Sequence, residues 1–321
     1  MTQANPYRGL VSSLSPDDFE APASAVAERE CRDRCGFGTF DEAAALYRPH
    51  PPCPSCGFPD TGRAGVGASG LQRFKCSACG RRCNSLAGAV LGLGKKDLPT
   101  WVDFINLMRF GMPLEGIAAN CGVSHPAAFE WRHRVFEAVD GRQGRIVLRD
   151  RVWIDETCIS DADLSHGYGE ARKRGLSKQK ICIAVAIDVH KNPVAKVCGH
   201  GKPSAKRMKD ALLSHLAPES PIVHDKEKSH PGPIKAAKRA DLAYKADVSD
   251  PLYVEAMATV NDLRPWLKRH LWRFTGMSPE NLQSYLNRFV CLFRANQAKD
   301  KWPETERVVR HLLQVEAHYR S

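Results

Sequence analysis

The chain has 321 residues, 43% of them hydrophobic and 26% charged, enough to bury one large core with one or two small satellites. A net charge of +11 favours a polyanionic partner. No apolar run of about 18 residues and no N-terminal signal pattern occurs, so a cytoplasmic protein without a membrane partner is expected.

The charge is unevenly placed. Residues 1–62 carry nine acidic against five basic side chains, and residues 63–150 carry thirteen basic against seven acidic. The positive field therefore begins past the first sixty residues. Residues 1–45 show one weak helical segment, Ala23 to Arg34, and read as an arm or adaptor of unknown role.

A proline-rich hinge, Pro49-His50-Pro51-Pro52, leads into Cys53-Pro54-Ser55-Cys56-Gly57, and Cys76-Ser77-Ala78-Cys79-Gly80 follows. In a reducing compartment, paired Cys-x-x-Cys spacing points to metal before disulfides. Zinc takes four thiolates in a tetrahedron, so Cys53, Cys56, Cys76 and Cys79 predict a structural Zn²⁺ in a ribbon over 46–95. Cys31 and Cys35 single out no ligand set with Cys83 or His50 and read as helix cysteines. Cys121, Cys158, Cys182, Cys198 and Cys291 sit in apolar stretches and read as core.

Over 96–140 the periodicity is helical. Trp101, Phe104, Ile105 and Met108 share one face, Leu114 to Cys121 forms a second segment stopped by Gly122, and Val123-Ser124 opens a third. This is the helix-turn-helix pattern, in which the start of the last helix enters the major groove. Ser124, His125, Glu130, Arg132 and Arg134 are the candidates for double-stranded DNA contact, with Val123, Phe129, Val135 and Phe136 as the buried face. A plain three-helix bundle fits the same pattern.

Strands are expected at Arg151 to Ile159, Ile181 to Val189 and Pro193 to Gly199. A helix (Ser204 to Leu216), a strand (Pro221 to His224), a helix (Pro233 to Ala240), a strand (Ala243 to Val248) and a helical tail follow. That order predicts an α/β fold with a mixed sheet over 145–300, ahead of a C-terminal helix over 301–321.

Ile154-Asp155-Glu156-Thr157 places a carboxylate pair at the close of an apolar strand, and Asp225 follows the strand Pro221-Ile222-Val223-His224. Two divalent metals about 3.5–4 Å apart serve phosphodiester cleavage, and such ions demand oxygen ligands. Ordinary strand-end caps are also compatible with both aspartates. Asn261 and Lys268 stand two helical turns apart in the tail, although Pro265 between them predicts a kink or a fresh helix start. Glu255 and Asp262 are rival ligands. Arg172, Lys173, Arg174, Lys178 and Lys180 form a basic run fit for phosphates or for a solvated turn.

Taken in order, these stretches resemble bacterial insertion-sequence transposases with a zinc ribbon and an ISXO-like DDE-type domain. The matching residues are Cys53 to Cys79, Trp153 to Thr157, Arg174 to Ser177 leading into Ile181 to Asp188, His224 to His230, Val260-Asn261 through Lys268, and Gly276 to Phe289. The resemblance implies an RNase H-like mixed sheet flanked by helices and a catalytic set of Asp155, Asp225, Asn261 and Lys268. It implies Mg²⁺ or Mn²⁺ held by Asp155, Asp225 and Asn261, cleavage at terminal inverted repeats, joining to target DNA, and a dimer or higher assembly on nucleoid DNA. Two positions depart from the pattern: Lys226 stands where glycine is expected, and Pro265 where a small helical residue is. They keep open a catalytically inactive or domesticated DNA-binding regulator. A nuclease that cuts without joining is a third reading.

Overall fold

The computed structural model describes residues 11–93, 95–160, 180–236, 240–274, 277–297 and 304–315. Two compact units divide the chain, Met1–Glu130 with Lys301–Ser321, and Trp131–Asp300. Among the described residues no helix is long and apolar enough to cross a membrane. Most of the basic run from Arg172, and Gly276, lie outside the described residues.

The first unit opens with helices α1 (Pro16–Cys35) and α2 (Phe40–Tyr47). Ser15 and Thr39 cap them, their hydroxyls accepting from the N–H groups of Asp18 and Glu42. An antiparallel ribbon follows, β1 (Thr61–Val66), β2 (Gln72–Cys76) and β3 (Arg82–Asn84), then α3 (Leu98–Arg109) and α4 (Leu114–Asn120). The C-terminal helix α10 (Glu304–Gln314) packs on α1, α2 and α3. α1 buries only Cys31 and Cys35, so its sequence carries little apolar periodicity. Arg48 explains how ribbon and C-terminal helix hold together. Its buried guanidinium donates to the carbonyls of Ser85 (2.9 Å), Ala87 (3.0 Å) and Leu313 (3.0 Å).

The unit boundary falls within α5 (His125–Gln143). The second unit is a five-stranded sheet of β4 (Val152–Ser160), β5 (Lys180–Asp188), β6 (Pro193–His200), β7 (Ile222–His224) and β8 (Asp241–Ala243), ordered β6-β5-β4-β7-β8. β4, β5 and β6 pair antiparallel, whereas β4, β7 and β8 pair parallel. β5 is buried along nearly its whole length, as its run Ile181–Ile187 requires of a strand covered on both faces. Helices α6 (Ala205–Leu212) and α7 (Pro231–Ala236) pack together, and α8 (Pro251–Trp272) lies across β4, β5 and β7. α9 (Leu282–Gln297) closes the β6 edge, where Gln283 accepts from Val197 N–H at 2.9 Å and donates to Ala195 O at 3.1 Å.

Four sequence expectations are corrected here. Asp155 and Glu156 sit in the middle of β4, which runs on to Ser160, because Cys158, Ile159 and Ser160 keep their backbone partners in β5. Pro265 does not break α8, which is continuous. Its buried stripe of Met257, Val260, Leu263, Leu267 and Leu271 outweighs one lost hydrogen bond. Phe129 is 44% exposed instead of buried; Ala128 and Trp131 take the inner face of α5. The last strand is Asp241–Ala243, not Ala243 to Val248, and the helix before it starts earlier, at Pro231.

Candidate functional site

Side chains alternate along a strand, so Trp153 and Asp155 share one face of β4 and Glu156 takes the other. Trp153 identifies the first face as that of α8, since its Nε1 donates to Ala256 O at 2.7 Å. β4 and β7 pair in parallel at Val152↔Ile222 and Trp153↔Val223, and Asp225, directly after β7, lies near enough to Asp155 for their charges to interact. Asp155 is 3% exposed. One of its oxygens accepts from Glu156 N–H at 2.7 Å, and the other from the guanidinium of Arg264 on α8. Burial pushes its carboxyl up to about 6, against the pull of Arg264 and with the charge of Asp225 adding to the rise.

His230, fully buried, joins the acids across the sheet. Its Nε2 lies 2.7 Å from Glu156 Oε2 and its Nδ1 lies 3.2 Å from Asp225 Oδ1. Burial alone lowers an imidazole pKa, but the hydrogen bonds to Asp225 and Glu156 win and raise His230 to about 9. The ring is therefore the cation that holds two carboxylates in place. Asp225 is held below the usual carboxylate range, first by His230. His224 Nδ1 accepts from Lys226 N–H at 3.1 Å, and its Nε2 meets Asp241 at 2.8 Å, which orients the ring beside His230. The turn puts Lys226 at φ 65, a left-handed conformation natural to glycine; that is the physical sense of the glycine expected there.

Two ligand trios overlap on His230: His224 with Asp225, and Asp155 with Glu156, the donor atoms of each trio lying within 4.8 Å of one another. The carboxylate oxygens of Asp155, Glu156 and Asp225 suit a hard divalent ion such as magnesium or manganese, with the protonated His230 beside them as a fixed counter-cation. The donor set fits such an ion. Asn261 and Lys268 share with Arg264 the face of α8 turned to the sheet, both half-buried. Lys268 is close enough to Cys158 to help lower that thiol to about 7, after the main effect of Cys182. Glu255 and Asp262 are exposed on the other side of α8. Sequence reasoning named Asp155 and Asp225 but assigned no role to Arg264 and only supporting roles to His224 and His230. The His224-Asp225 and His230 spacing was the available signal.

In the first unit the four ribbon cysteines converge. Cys53 and Cys79 Sγ are 3.6 Å apart and Cys56 and Cys76 3.7 Å, and all four sulfurs lie within 4.8 Å of one another. A tetrahedral ion with metal–sulfur bonds of about 2.3 Å needs sulfurs roughly 3.8 Å apart. Both knuckles are built alike: Gly57 (φ 70) and Gly80 (φ 71) turn the chain, donating to Cys53 O at 2.8 Å and Cys76 O at 3.0 Å. Backbone N–H groups of Ser55 and Cys56 draw the Cys53 thiol down, whereas at Cys56 the pull of the Phe58 N–H is overcome by burial and the neighbouring cysteines, which push that thiol up. Cys31 and Cys35 join no such cluster among the described residues.

α4 and α5 meet in a tight turn, with Gly122 at φ 57 and Val123 N–H donating to Ala118 O at 3.0 Å. Ser124 caps α5 through Ala127 N–H at 3.3 Å. Ser124, His125 and Glu130 are exposed, Arg134 is half-buried, and Arg132 lies over the Tyr285 ring at 5.8 Å.

No known family description matches the chain, and no curated protein matches it; the resemblance drawn from its motifs has no sequence-level support. Among solved structures it is similar to a pre-cleavage Mos1 transpososome (12% identity, TM-score 0.22, 58% of this chain and 75% of that chain). It is also similar to a Mos1 mariner paired-end complex with Mn (12%, 0.23, 59% and 75%) and to the Mos1 strand transfer complex (11%, 0.21, 61% and 77%).

Proposed function

We propose that the chain is a DDE-type DNA transposase that cleaves DNA at element ends and joins the freed ends to target DNA. The observation that carries this reading is Asp155 beside Asp225 on the central parallel pair of a mixed sheet, with α8 bringing Asn261, Arg264 and Lys268 over the same face. A mixed sheet flanked by helices supports the RNase H-like assignment of residues 145–300. Asp155 and Asp225, with the carbonyl oxygen of Asn261, would hold Mg²⁺ or Mn²⁺, which when bound activates a nucleophile and stabilises charge on phosphate. Cleavage adds water across one P–O bond and leaves a 3′-hydroxyl. Joining transfers that oxygen to a target phosphorus and releases another 3′-hydroxyl. The protein's own part is positional: His230 fixes Asp225 and Glu156, Arg264 tempers the charge of Asp155, and Lys268 meets the phosphate.

In the same reading Cys53, Cys56, Cys76 and Cys79 hold Zn²⁺ in the ribbon over 46–95. Ser124, His125, Arg132 and Arg134 of the helix-turn-helix over 96–140 meet double-stranded DNA at the element ends. Synapsis of two ends calls for a dimer or higher assembly, at work on the nucleoid. A second reading, a DNA-binding regulator without catalysis, is favoured by Arg264 on the Asp155 carboxylate and by Lys226 beside Asp225. The test is purified protein with Mg²⁺ and a labelled duplex bearing the DNA that flanks the gene, beside Asp155→Ala. Joined products that vanish in the variant support the transposase; cut but unjoined ends select the nuclease; binding without cutting selects the regulator.

A further inference from the structure

A basic feature of the Trp131–Asp300 unit lies at the Val152–Asp188 end of the β4–β5 ladder. A cavity of about 430 Å³ opens there, and Arg145, Arg149, Arg294 and His190 line it together with Asp188 and Asn192. The cations come from separate segments, the linker before β4, the β5–β6 turn and α9, so their convergence is a property of the fold and not of a local charge run. The one acid in the lining is turned inward. Asp188 is 1% exposed, and it accepts from Asn192 N–H at 2.8 Å, from Asn192 Nδ2 at 3.2 and 3.1 Å, and from Arg149 N–H at 3.4 Å. Asn192 in turn accepts from Arg294 Nε at 3.1 Å, which sets the guanidinium against the wall. His190 meets Asp150 at 2.6 Å at the rim. The cavity thus presents guanidinium donors whose fork geometry matches phosphate oxygens, with the carboxylate of its lining turned inward and the exposed Asp150 paired with His190 at the rim.

We infer that this cavity binds a phosphate of the DNA backbone, as an anchoring site separate from the acidic centre. Val152 pairs with Asp188, and Asp155 lies three residues further along β4, roughly 10 Å along the strand and with its side chain on the opposite face of the sheet. A phosphate in the cavity is therefore not the one attacked beside Asp155. The inference shares the DNA partner of the proposed function and none of its chemistry.

The test is DNA binding by the full chain, without added Mg²⁺ so that cleavage plays no part, across a salt series. Arg145→Gln/Arg149→Gln removes two exposed guanidiniums, and Lys206→Gln/Lys209→Gln on α6 removes the same charge elsewhere on the unit. The cavity variant is expected to lose about fivefold to tenfold in affinity at 0.1 M salt, and to flatten the slope of log affinity against log salt by about 1 to 2. The α6 variant is expected to change neither by more than about twofold. Unchanged binding in the cavity variant, or equal losses in both, overturns the inference. A third arm uses a nucleoside triphosphate: thermal stabilisation of the wild type by it, absent in the cavity variant and with DNA affinity intact, would assign the cavity to a free nucleotide and also overturn it. Reduced binding in a protein that never cuts DNA would leave this site standing while the transposase reading falls.

Discussion

Asp155→Asn is expected to stabilise the protein above neutral pH while it abolishes the proposed chemistry. The side chain of Asp155 is only 4% exposed, and burial moves its carboxyl from 3.8 to about 6 even with Arg264 attached. The folded state therefore holds this proton more tightly than the unfolded chain does. Its contribution is fully present below pH 3.8 and is lost as pH rises through about 6. The gap corresponds to about 3 kcal/mol on the plateau above pH 7, a figure that already contains the attraction of Arg264. Asparagine keeps the shape and an oxygen acceptor for Glu156 N–H and Arg264, yet never ionises. Urea unfolding in magnesium-free buffer from pH 4 to 8 should show the variant gaining on the wild type by about 2 to 3 kcal/mol, most of it between pH 4 and 6. Added Mg²⁺ should then raise the wild type alone, by about 2.7 kcal/mol at a hundredfold excess over Kd. A difference that does not vary with pH, or a variant that falls behind as pH rises, would refute the account of a carboxylate charged at a cost.

Three further outcomes follow from the same structure. His270, 9% exposed between Phe274 and Phe289, is held down to about 3 by burial, then by Arg288 and Arg273; its stability is present above pH 6.5 and is lost on acidification. His270→Phe should recover about 2 kcal/mol of the loss between pH 7 and 5 in acid denaturation curves, and parallel curves for the two proteins would count against it. Cys56→Ser should release the ribbon metal to a chromogenic chelator and unprotect the amides of β1–β3, since structural zinc supplies about 10 kcal/mol or more of apparent folding free energy; retained protection without metal would remove the zinc assignment. Lys226→Gly relieves a residue at φ 65 and should raise the urea midpoint by the equivalent of up to about 1 kcal/mol, so a lower midpoint would show that the lysine is held by contacts that repay its strain.

What the sequence reveals and conceals follows from the range of each interaction. The knuckles were legible because each is closed by bonds three or four residues long, such as Gly57 to Cys53 and Gly80 to Cys76. β5 was legible because a strand covered on both faces must be apolar throughout. α1 was nearly invisible: it buries little besides two cysteines, and the surfaces that cover it come from α3 and α10, far away in sequence. Arg264 was missed, and the partners of His230 were not foreseen, for a related reason. The His230 bond to Glu156 spans 74 residues and the Arg264 bond to Asp155 spans 109, so neither exists until strand order and the phase of α8 are set. Pro265 misled because the local rule against proline in a helix is real, and here the buried stripe of α8 overrides it.

Those two long-range bonds also define what the acidic centre must give up to act. Asp155, Glu156 and Asp225 carry three potential negative charges, and the fold sets against them the guanidinium of Arg264 and the imidazolium of His230. His230 is fully buried and tied on both nitrogens, so it is a fixed part of the framework. Arg264 differs: its side chain is 37% exposed, and it rides on a helix surface with water within reach. A divalent ion that takes Asp155 must compete with it for the same carboxylate. Withdrawal into solvent costs a charged, flexible side chain little, whereas replacing His230 would strand two carboxylates in the interior. The rigid cation thus fixes the geometry of the site, and the mobile one sets how readily a metal enters it.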